Sequence, residues 1–256
     1  MDKIKTYIVN LPASTKRRDY MTSLLEPYTF LDVEFIEATD GRKMTQEERE
    51  AEFDYAGCMR HMGRQPNAGE IGCVLSHRKC CRRLLESDES YALIVEDDIA
   101  IIRDLSHLPE YDIAKHLLTD RPTVLFLSGD FWYFKRADVV KAYDAVGAYA
   151  YFINRGAAQL ILSTGKPRNV ADDWRYYKYK GLKLRGILPY MVDANVDMAN
   201  LPSDVNQDSW TINRREMSAP EAFRSYWSGL VKRILKATGR FEAKTRIIDN
   251  KIISAK

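Results

Sequence analysis

The chain is predicted to fold as an α/β protein, a sandwich of helices on a largely parallel central sheet. Three observations predict it. Short apolar runs rich in β-branched and aromatic residues alternate with segments of helical periodicity, the pattern of strands joined by crossover helices. The run Tyr91-Ala92-Leu93-Ile94-Val95 stops at three acids, Glu96-Asp97-Asp98. Unpaired charge is too costly in an apolar layer, so the acids belong at the strand's C-terminal edge, where open α/β sheets keep their ligand crevice. Finally, a hydrophobic share of 45% over 256 residues suffices for a sizeable core in one large domain, or one domain with a small appendage.

Lys5 to Leu11 reads as a first strand, closed by Pro12 before a helix from about Ala13 to Leu25. Val33 to Ala38 reads as a second strand, ended by the turn chemistry of Asp40-Gly41. Thr45, followed by Glu47, Glu48, Arg49 and Glu50, reads as a capped, exposed helix. Gly57 to Gly69 reads as a loop, with Pro66 and Asn67 inside it. Glu70 to Leu85 has helical periodicity through Ile71, Val74, Leu75, Cys81, Leu84 and Leu85. After the Tyr91–Val95 strand come strands near Val124–Leu127 and Ala148–Ile153, then a helix near Gly156–Leu162. Residues 199–216 read as a surface loop.

No run approaches the ~18 apolar residues of a membrane span, and the apolar patch near the N-terminus is too short for a signal-peptide core. The expected location is the cytoplasm. Cys58, Cys73, Cys80 and Cys81 fit no Cys-x-x-Cys or zinc spacing and are read as reduced thiols serving as small apolar residues. The net charge of +3 is uneven: residues 221–256 hold nine Lys/Arg against three Asp/Glu. A mildly acidic body with one basic end argues against a nucleic-acid partner, which calls for a basic face on the body itself.

The acidic triplet needs a counter-charge, and an oxygen-preferring divalent cation, Mn2+ or Mg2+, supplies one. Glu96 and Asp98 lie two residues apart, so on an extended segment they point to one side.

Five blocks in order carry a resemblance. They are Tyr7-Ile8-Val9-Asn10-Leu11 with Lys16-Arg17-Arg18; Glu37-Ala38-Thr39-Asp40-Gly41; Gly69-Glu70-Ile71-Gly72-Cys73-Val74-Leu75-Ser76-His77; Ala92-Leu93-Ile94-Val95-Glu96-Asp97-Asp98; and Ala148 through Ala158 followed by Val170-Ala171-Asp172-Asp173. Together they resemble glycosyltransferase family 25, which contains bacterial lipooligosaccharide galactosyltransferases and procollagen galactosyltransferases. The order and spacing fit from residue 5 to about 175.

The resemblance implies a GT-A-type nucleotide-binding fold over residues 1–217, with 218–256 as a basic amphipathic tail. It implies a nucleotide-sugar donor, most often UDP-galactose, and inversion at the transferred carbon. Glu96-Asp97-Asp98 matches the family's metal motif, with Asp98 as direct ligand and Glu96 meeting the metal, its bound water or the ribose. The implied nucleotide-sugar contacts are Asn10, Arg18, Asp40, Glu70, Ser76, His77, Glu96 and Asp97. An Asp-Gly turn alone also accounts for Asp40, and a satisfied helical histidine also accounts for His77.

Inversion needs one general base for the acceptor hydroxyl. The resemblance points to Asp172 or its neighbour Asp173, because Val-Ala-Asp-Asp replaces the more usual Pro-Val-Asp. The pair also reads as a helix N-cap before Trp174. Trp174, Tyr176, Tyr177 and Tyr179 are sugar platforms or core, and Phe131-Trp132-Tyr133-Phe134 is an aromatic cluster suited to an acceptor site or an oligomer contact.

Tyr226, Trp227, Leu230, Val231, Ile234 and Leu235 recur at helical spacing beside Lys232, Arg233 and Lys236. This basic amphipathic helix lies on an anionic membrane surface through residues 224–246, at the inner face of the cytoplasmic membrane, or docks on the body. The expected function is metal-dependent transfer of a sugar from a UDP-sugar to an oligosaccharide or glycolipid acceptor, in lipooligosaccharide or other surface-glycan synthesis. The alternatives are a nucleotide-diphosphate phosphohydrolase and a non-catalytic relative that binds glycan or protein.

Overall fold

The computed structural model describes residues 3–194, 212–213, 215–243, 245–248 and 251–254. Its first half alternates as expected: β1 (Ile4–Asn10), α1 (Thr15–Leu25), β2 (Leu31–Glu37), α2 (Gln46–Glu52), α3 (Tyr55–Met62), α4 (Ala68–Glu86) and β3 (Tyr91–Glu96). After β4 (Ile99–Ile101) come a 3-10 turn at Leu105–Tyr111, α5 (Ile113–Leu117), β5 (Thr123–Phe126), β6 (Phe131–Tyr133) and β7 (Val139–Ala145). Then follow β8 (Ala150–Asn154), α6 (Arg155–Ser163), α7 (Trp174–Lys178), β9 (Lys183–Ile187) and β10 (Val192–Ala194). The C-terminal part holds α8 (Ala219–Ala237), β11 (Phe241–Glu242), β12 (Thr245–Ile248) and β13 (Lys251–Ser254).

Among the described residues the main sheet has nine strands in the order β11-β6-β7-β9-β5-β8-β3-β1-β2. Parallel pairing joins β1 to β2, β1 to β3 and β5 to β9; the other junctions are antiparallel. The α/β layering is as expected, but the sheet is mixed rather than largely parallel. The reason lies in the connections. Parallel neighbours need a crossover of a dozen or more residues, which α1 and α2–α4 supply around β1, β2 and β3. Beyond β5 the strands are joined mainly by short links, and their pairing is mostly antiparallel.

Side chains alternate across the sheet, so each face builds its own core. Tyr7, Val9, Ile94, Phe126, Tyr151 and Ile153 pack with Cys80, Cys81 and Leu84 of α4, Ala157 and Ile161 of α6, and Trp174 and Tyr177 of α7. On the opposite face Ile8, Leu93, Val95, Leu125 and Phe152 pack with Met21 and Leu25 of α1, Leu105 and Leu108, and Ile113 and Leu117 of α5. All four cysteines are free thiols, three of them buried.

One segment read as loop is helical. Residues Tyr55–Met62 form α3, with Asp54 accepting from the Gly57 amide at its start and Gly63 in the left-handed region (φ 71°) at its end. Glycine adopts that conformation without a Cβ clash, so it stops the helix. Most of the predicted surface loop 199–216 lies outside the described residues. No described helix is long and apolar enough to cross a membrane.

Helix α8 packs against α3 and β6. Its Lys232 lies 2.6 Å from the carboxylate of Asp144, a β7 residue only 2% exposed. Following it, β11 adds to the edge of the main sheet beside β6, with Phe241 stacked on Trp132 at 4.5 Å between centroids. The aromatic cluster at 131–134 therefore divides: Phe131 and Tyr133 are core, Trp132 receives the C-terminal strand, and Phe134 stays exposed.

Candidate active site

The site forms where β1 and β3 end side by side. Their parallel register sets Val9 opposite Glu96, so Asn10 and the acidic triplet leave the sheet at one edge. A cleft there is lined by Glu96, Asp97 and Asp98, by Arg17 of α1, by Thr39 to Arg42, and by Cys73, Ser76 and His77 of α4.

Within the triplet the three acids differ. The Asp97 carboxylate accepts from Asn10 Nδ2 at 2.6 Å and from Arg17 Nη1 at 3.0 Å. Burial still pushes its carboxyl up, only partly offset by those two donors. Glu96 and Asp98 stay accessible from the cleft, with side chains 23% and 24% exposed. Arg17 also approaches Asp98, at 3.4 Å.

The basic residue at this edge is thus Arg17, where the sequence reading names Arg18. In α1 the inward positions are Arg17, Met21 and Leu25, a stripe of four-residue steps. Arg18 falls outside that stripe, and its guanidinium lies over the Phe35 ring at 4.3 Å.

The glycine-rich block on α4 seats the Asp40 loop. A Cβ on Gly72 would lie 2.4 Å from the Thr39 carbonyl oxygen, and one on Gly41 would lie 1.9 Å from the Ala68 carbonyl oxygen. Backbone meets backbone here, which only glycine allows. Ser76 secures the same contact: its hydroxyl accepts from the Thr39 amide at 2.8 Å and donates to the Gly72 carbonyl at 2.6 Å. Glu70 pairs with Arg64 through both carboxylate oxygens, at 2.8 and 2.6 Å, and closes a capping box with Asn67. Ser76 and Glu70 are therefore committed to the framework. Asp40 lines the cleft and is held below the usual carboxylate range, chiefly by its hydrogen bonds from Arg42.

His77 joins α4 to β8 in the core and to Glu96 at the end of β3. Its Nδ1 is 2.8 Å from the Tyr151 hydroxyl and its Nε2 is 3.2 Å from Glu96 Oε1. Ligand atoms of Cys73, His77 and Glu96 lie within 4.8 Å of one another. The donors present thus fit two kinds of cation. The carboxylates of Glu96 and Asp98 suit an oxygen-preferring ion such as Mn2+ or Mg2+, while Cys73 and His77 with Glu96 suit a thiophilic one.

Asp172 and Asp173 have opposite surroundings. Burial, with the charges of Asp173 and Glu96, raises the Asp172 carboxyl to about 6, against a weak contact from the Gly147 amide at 3.4 Å. Asp173 sits at the N-cap position of α7 without a side-chain cap bond; its carboxylate turns instead to His61 Nε2 at 2.5 Å. Burial would raise Asp173 as well, but the His61 hydrogen bond and charge, with Arg175, hold it below its ordinary value. His61 was not singled out from sequence; a histidine four residues after Gly57, in a stretch read as loop, offers no signal. Trp174 and Tyr177 are core, with Trp174 Nε1 donating to the Gly147 carbonyl at 2.9 Å. Tyr179 is exposed, under the Arg224 guanidinium.

The model of glycosyltransferase family 25, described as an LPS biosynthesis protein, matches residues 3–175. The chain belongs to this family. Every residue that lines the cleft lies inside the matched region. A "Glycosyltransferase 25 family member" of Aedes aegypti is 31% identical over 96 residues, which are 36% of this chain and 16% of that relative's length. Among solved structures, a glycosyltransferase involved in glycosylation of the major capsid of PBCV-1 aligns with 66% of this chain and 68% of its own, at 11% identity and a TM-score of 0.36. The galactosyltransferase LgtC, solved with donor and acceptor sugar analogues, aligns with 86% of this family 25 chain and 85% of its own, at 12% identity and a TM-score of 0.39.

Proposed function

We propose that the protein is a metal-dependent, inverting glycosyltransferase of the GT-A type. It moves a sugar, galactose from UDP-galactose, onto a lipooligosaccharide or other surface-glycan acceptor and forms a β-linkage. One observation carries this reading. A cleft with two accessible carboxylates, Glu96 and Asp98, lies within electrostatic reach of a further acid, Asp172, whose carboxyl is raised to about 6. A leaving-group side and a base side are then present in one site of a family 25 protein.

On the donor side Glu96 and Asp98 would hold a cation, Mn2+ or Mg2+, which when bound would neutralise charge growing on the departing UDP. Asp97 orients both neighbours through its bonds to Asn10 and Arg17. Asp40, kept ionised beside Arg42, is an acceptor for ribose or uracil donors. His77 holds Glu96 from the α4 side. On the acceptor side the Asp172 carboxylate takes the proton from the attacking hydroxyl as the sugar–phosphate bond breaks. With a midpoint of about 6 it is ionised at neutral pH yet more basic than an ordinary carboxylate, which favours proton transfer. One base and one displacement give inversion.

The C-terminal segment supports a place for this reaction. Phe223, Tyr226, Trp227 and Ile234 are exposed on α8, among Arg224, Arg233 and Lys236. Aromatic and basic residues on one helix suit an anionic membrane surface, where a growing glycolipid is anchored.

The test is calorimetry with a panel of nucleotide sugars, with Mn2+ and then with EDTA, on the wild type and Asp98→Ala. Binding of one UDP-sugar that needs the metal and is lost in the variant supports the reading and names the donor. No binding to any nucleotide sugar would overturn it. Steady release of UDP from the donor without an acceptor would favour a phosphohydrolase.

A further inference from the structure

The acid pair at 172–173 is tied to a residue far outside the family-matched region. His61 is only 3% exposed and has a carboxylate at each ring nitrogen: Asp173 Oδ2 is 2.5 Å from Nε2, and Glu221 Oε2 is 3.2 Å from Nδ1. The first contact is a directed hydrogen bond. The second is an ion-pair approach, since neither Nδ1 nor that Glu221 oxygen makes a directed hydrogen bond.

Backbone contacts on both sides fix this arrangement. Gly63 ends α3 two residues after His61, and the Asn213 amide donates to the Gly63 carbonyl at 2.7 Å. The Ser218 amide donates to the Arg60 carbonyl at 2.9 Å. These two bonds clasp the end of α3 to the start of α8, and Glu221 then falls in the first turn of α8, where a carboxylate is favoured by the helix dipole. The Tyr176 ring packs edge-on against the imidazole, with centroids 5.0 Å apart.

We propose that Glu221 and His61 form a positioning relay, through which helix α8 holds the Asp173 carboxylate in place and leaves Asp172 to act as the base. The proposal rests on the reading of Asp172 as general base. A neutral imidazole has one N–H and can donate to only one carboxylate, whereas the cationic ring donates from both nitrogens. With a carboxylate at each nitrogen, the ring is the bridge through which Glu221 of α8 reaches Asp173. Neighbouring acids with environments that push their proton affinities apart make a usable acid–base pair. The charged groups around the relay are Asp172 and Arg175 beside Asp173, and Arg224, bonded to Glu221 at 2.8 Å. Asp172 makes the pair more basic, and the two arginines oppose that effect.

The experiment is a carboxyl 13C titration of the aspartates in the full chain, which needs no substrate. In His61→Gln the Asp173 midpoint is expected to rise by about one pH unit or more, because an opposite charge in contact is lost. In Glu221→Gln, which keeps the ring and removes only the outer carboxylate, Asp173 is expected to rise by a smaller amount. Midpoints of Asp172 and Asp173 that match the wild type in Glu221→Gln would overturn the relay and leave α8 as packing. If His61→Gln does not fold, Glu221→Gln decides alone, since its side chain lies at the edge of the cluster, 19% exposed. A separate arm follows sugar transfer from UDP-galactose to a lipooligosaccharide acceptor with Mn2+ by Asp172→Asn, read as the UDP released above that seen without the acceptor. Undiminished turnover there would sink the base assignment, whatever the titration shows.

Discussion

The side-chain amide of Asn10 donates to the Asp97 carboxylate at 2.6 Å, tying the end of β1 to the end of β3. Arg17 donates to the other Asp97 oxygen at 3.0 Å. The middle acid of the triplet is therefore a framework residue, and its anchoring fixes the direction of the outer two. Asp97 and Asp98 form the turn after β3 rather than an extended segment, and with Asp97 drawn inward by Asn10 and Arg17, Glu96 and Asp98 are left to the cleft.

Replacing Asp97 by alanine removes the acceptor of a buried amide and a buried guanidinium together. Loss of one partner from a buried charged pair costs about 3 kcal/mol or more. The urea midpoint of Asp97→Ala is expected to fall accordingly with the slope unchanged, and Asp97→Asn should lose less. A midpoint equal to that of the wild type would mean that Asp97 does not anchor the edge.

Arg17 and Arg18 are adjacent in sequence and opposite in consequence. Arg17 faces the acids, while Arg18, exposed, covers the Phe35 ring. Arg17→Ala is expected to weaken UDP-sugar binding by on the order of tenfold, as one charge-assisted contact that orients Asp98 is lost. Arg18→Ala should bind within about twofold of the wild type, as a change on an exposed surface does. Equal losses in the two variants would contradict the geometry.

Much of this architecture was legible in the residues. The run Tyr91–Val95 followed by three acids placed a strand end and a polar edge, because charge cannot follow an apolar strand inward. The glycine-rich block was legible as a motif, but its physical role was not. Gly72 and Gly41 are needed because two backbones touch, a fact about residues 31 positions apart. The choice between Arg17 and Arg18 depends on which face of α1 meets the sheet, and α1 has only Arg17, Met21 and Leu25 buried, too thin a stripe to fix the face in advance. Ser76 and Glu70 were implied as ligand contacts by the resemblance of the Gly69–His77 block; their partners, Thr39 and Arg64, lie outside that block. The antiparallel half of the sheet escaped for a related reason. Short strands such as Phe131–Tyr133 and Lys183–Ile187 are stabilised by neighbours rather than by local pattern.

The Gly72 contact gives a direct prediction. In Gly72→Ala the new methyl would sit 2.4 Å from the Thr39 carbonyl oxygen and 2.6 Å from the Gly41 amide nitrogen, and neither backbone atom can move without shifting the Asp40 loop. Overpacking of this kind costs about 1–3 kcal/mol. Calorimetry should also show weaker UDP-sugar binding, since the displaced loop carries Asp40. Full affinity in a folded Gly72→Ala would separate that loop from the donor site.

At the far end of the sheet, Lys232 of α8 meets the buried Asp144 carboxylate at 2.6 Å, with Lys178 also close enough to feel that charge. Lys232→Met keeps the apolar stem and removes the ammonium. Its expected cost is about 1–3 kcal/mol, that of a buried acceptor deprived of its charged donor. The double variant Lys232→Met with Asp144→Asn should recover part of it. A double variant no better than the single one would show that packing of α8, rather than this ion pair, fixes the helix.

Asp172 links function to stability, and the sign is definite. Its carboxyl stands at about 6 in the fold against an ordinary 3.8, so the folded chain binds this proton more tightly than the unfolded chain. Protonation therefore stabilises the fold: the contribution is complete below about pH 4 and disappears as the pH rises through about 6. Above that, the ionised side chain costs the fold on the order of 2–3 kcal/mol. Asp172→Asn carries no charge, so it should resist urea better than the wild type at pH 8, with the advantage vanishing near pH 4. The same substitution should reduce transfer by about 10²–10⁴-fold, the scale of a general base, while donor affinity stays within about twofold, as expected for a group that acts only in the chemical step. In the wild type, turnover should fall off on the acid side with a midpoint near 6, matching the carboxyl. If Asp172→Asn is no more stable than the wild type at pH 8, or transfers sugar at full rate, the base must be another residue.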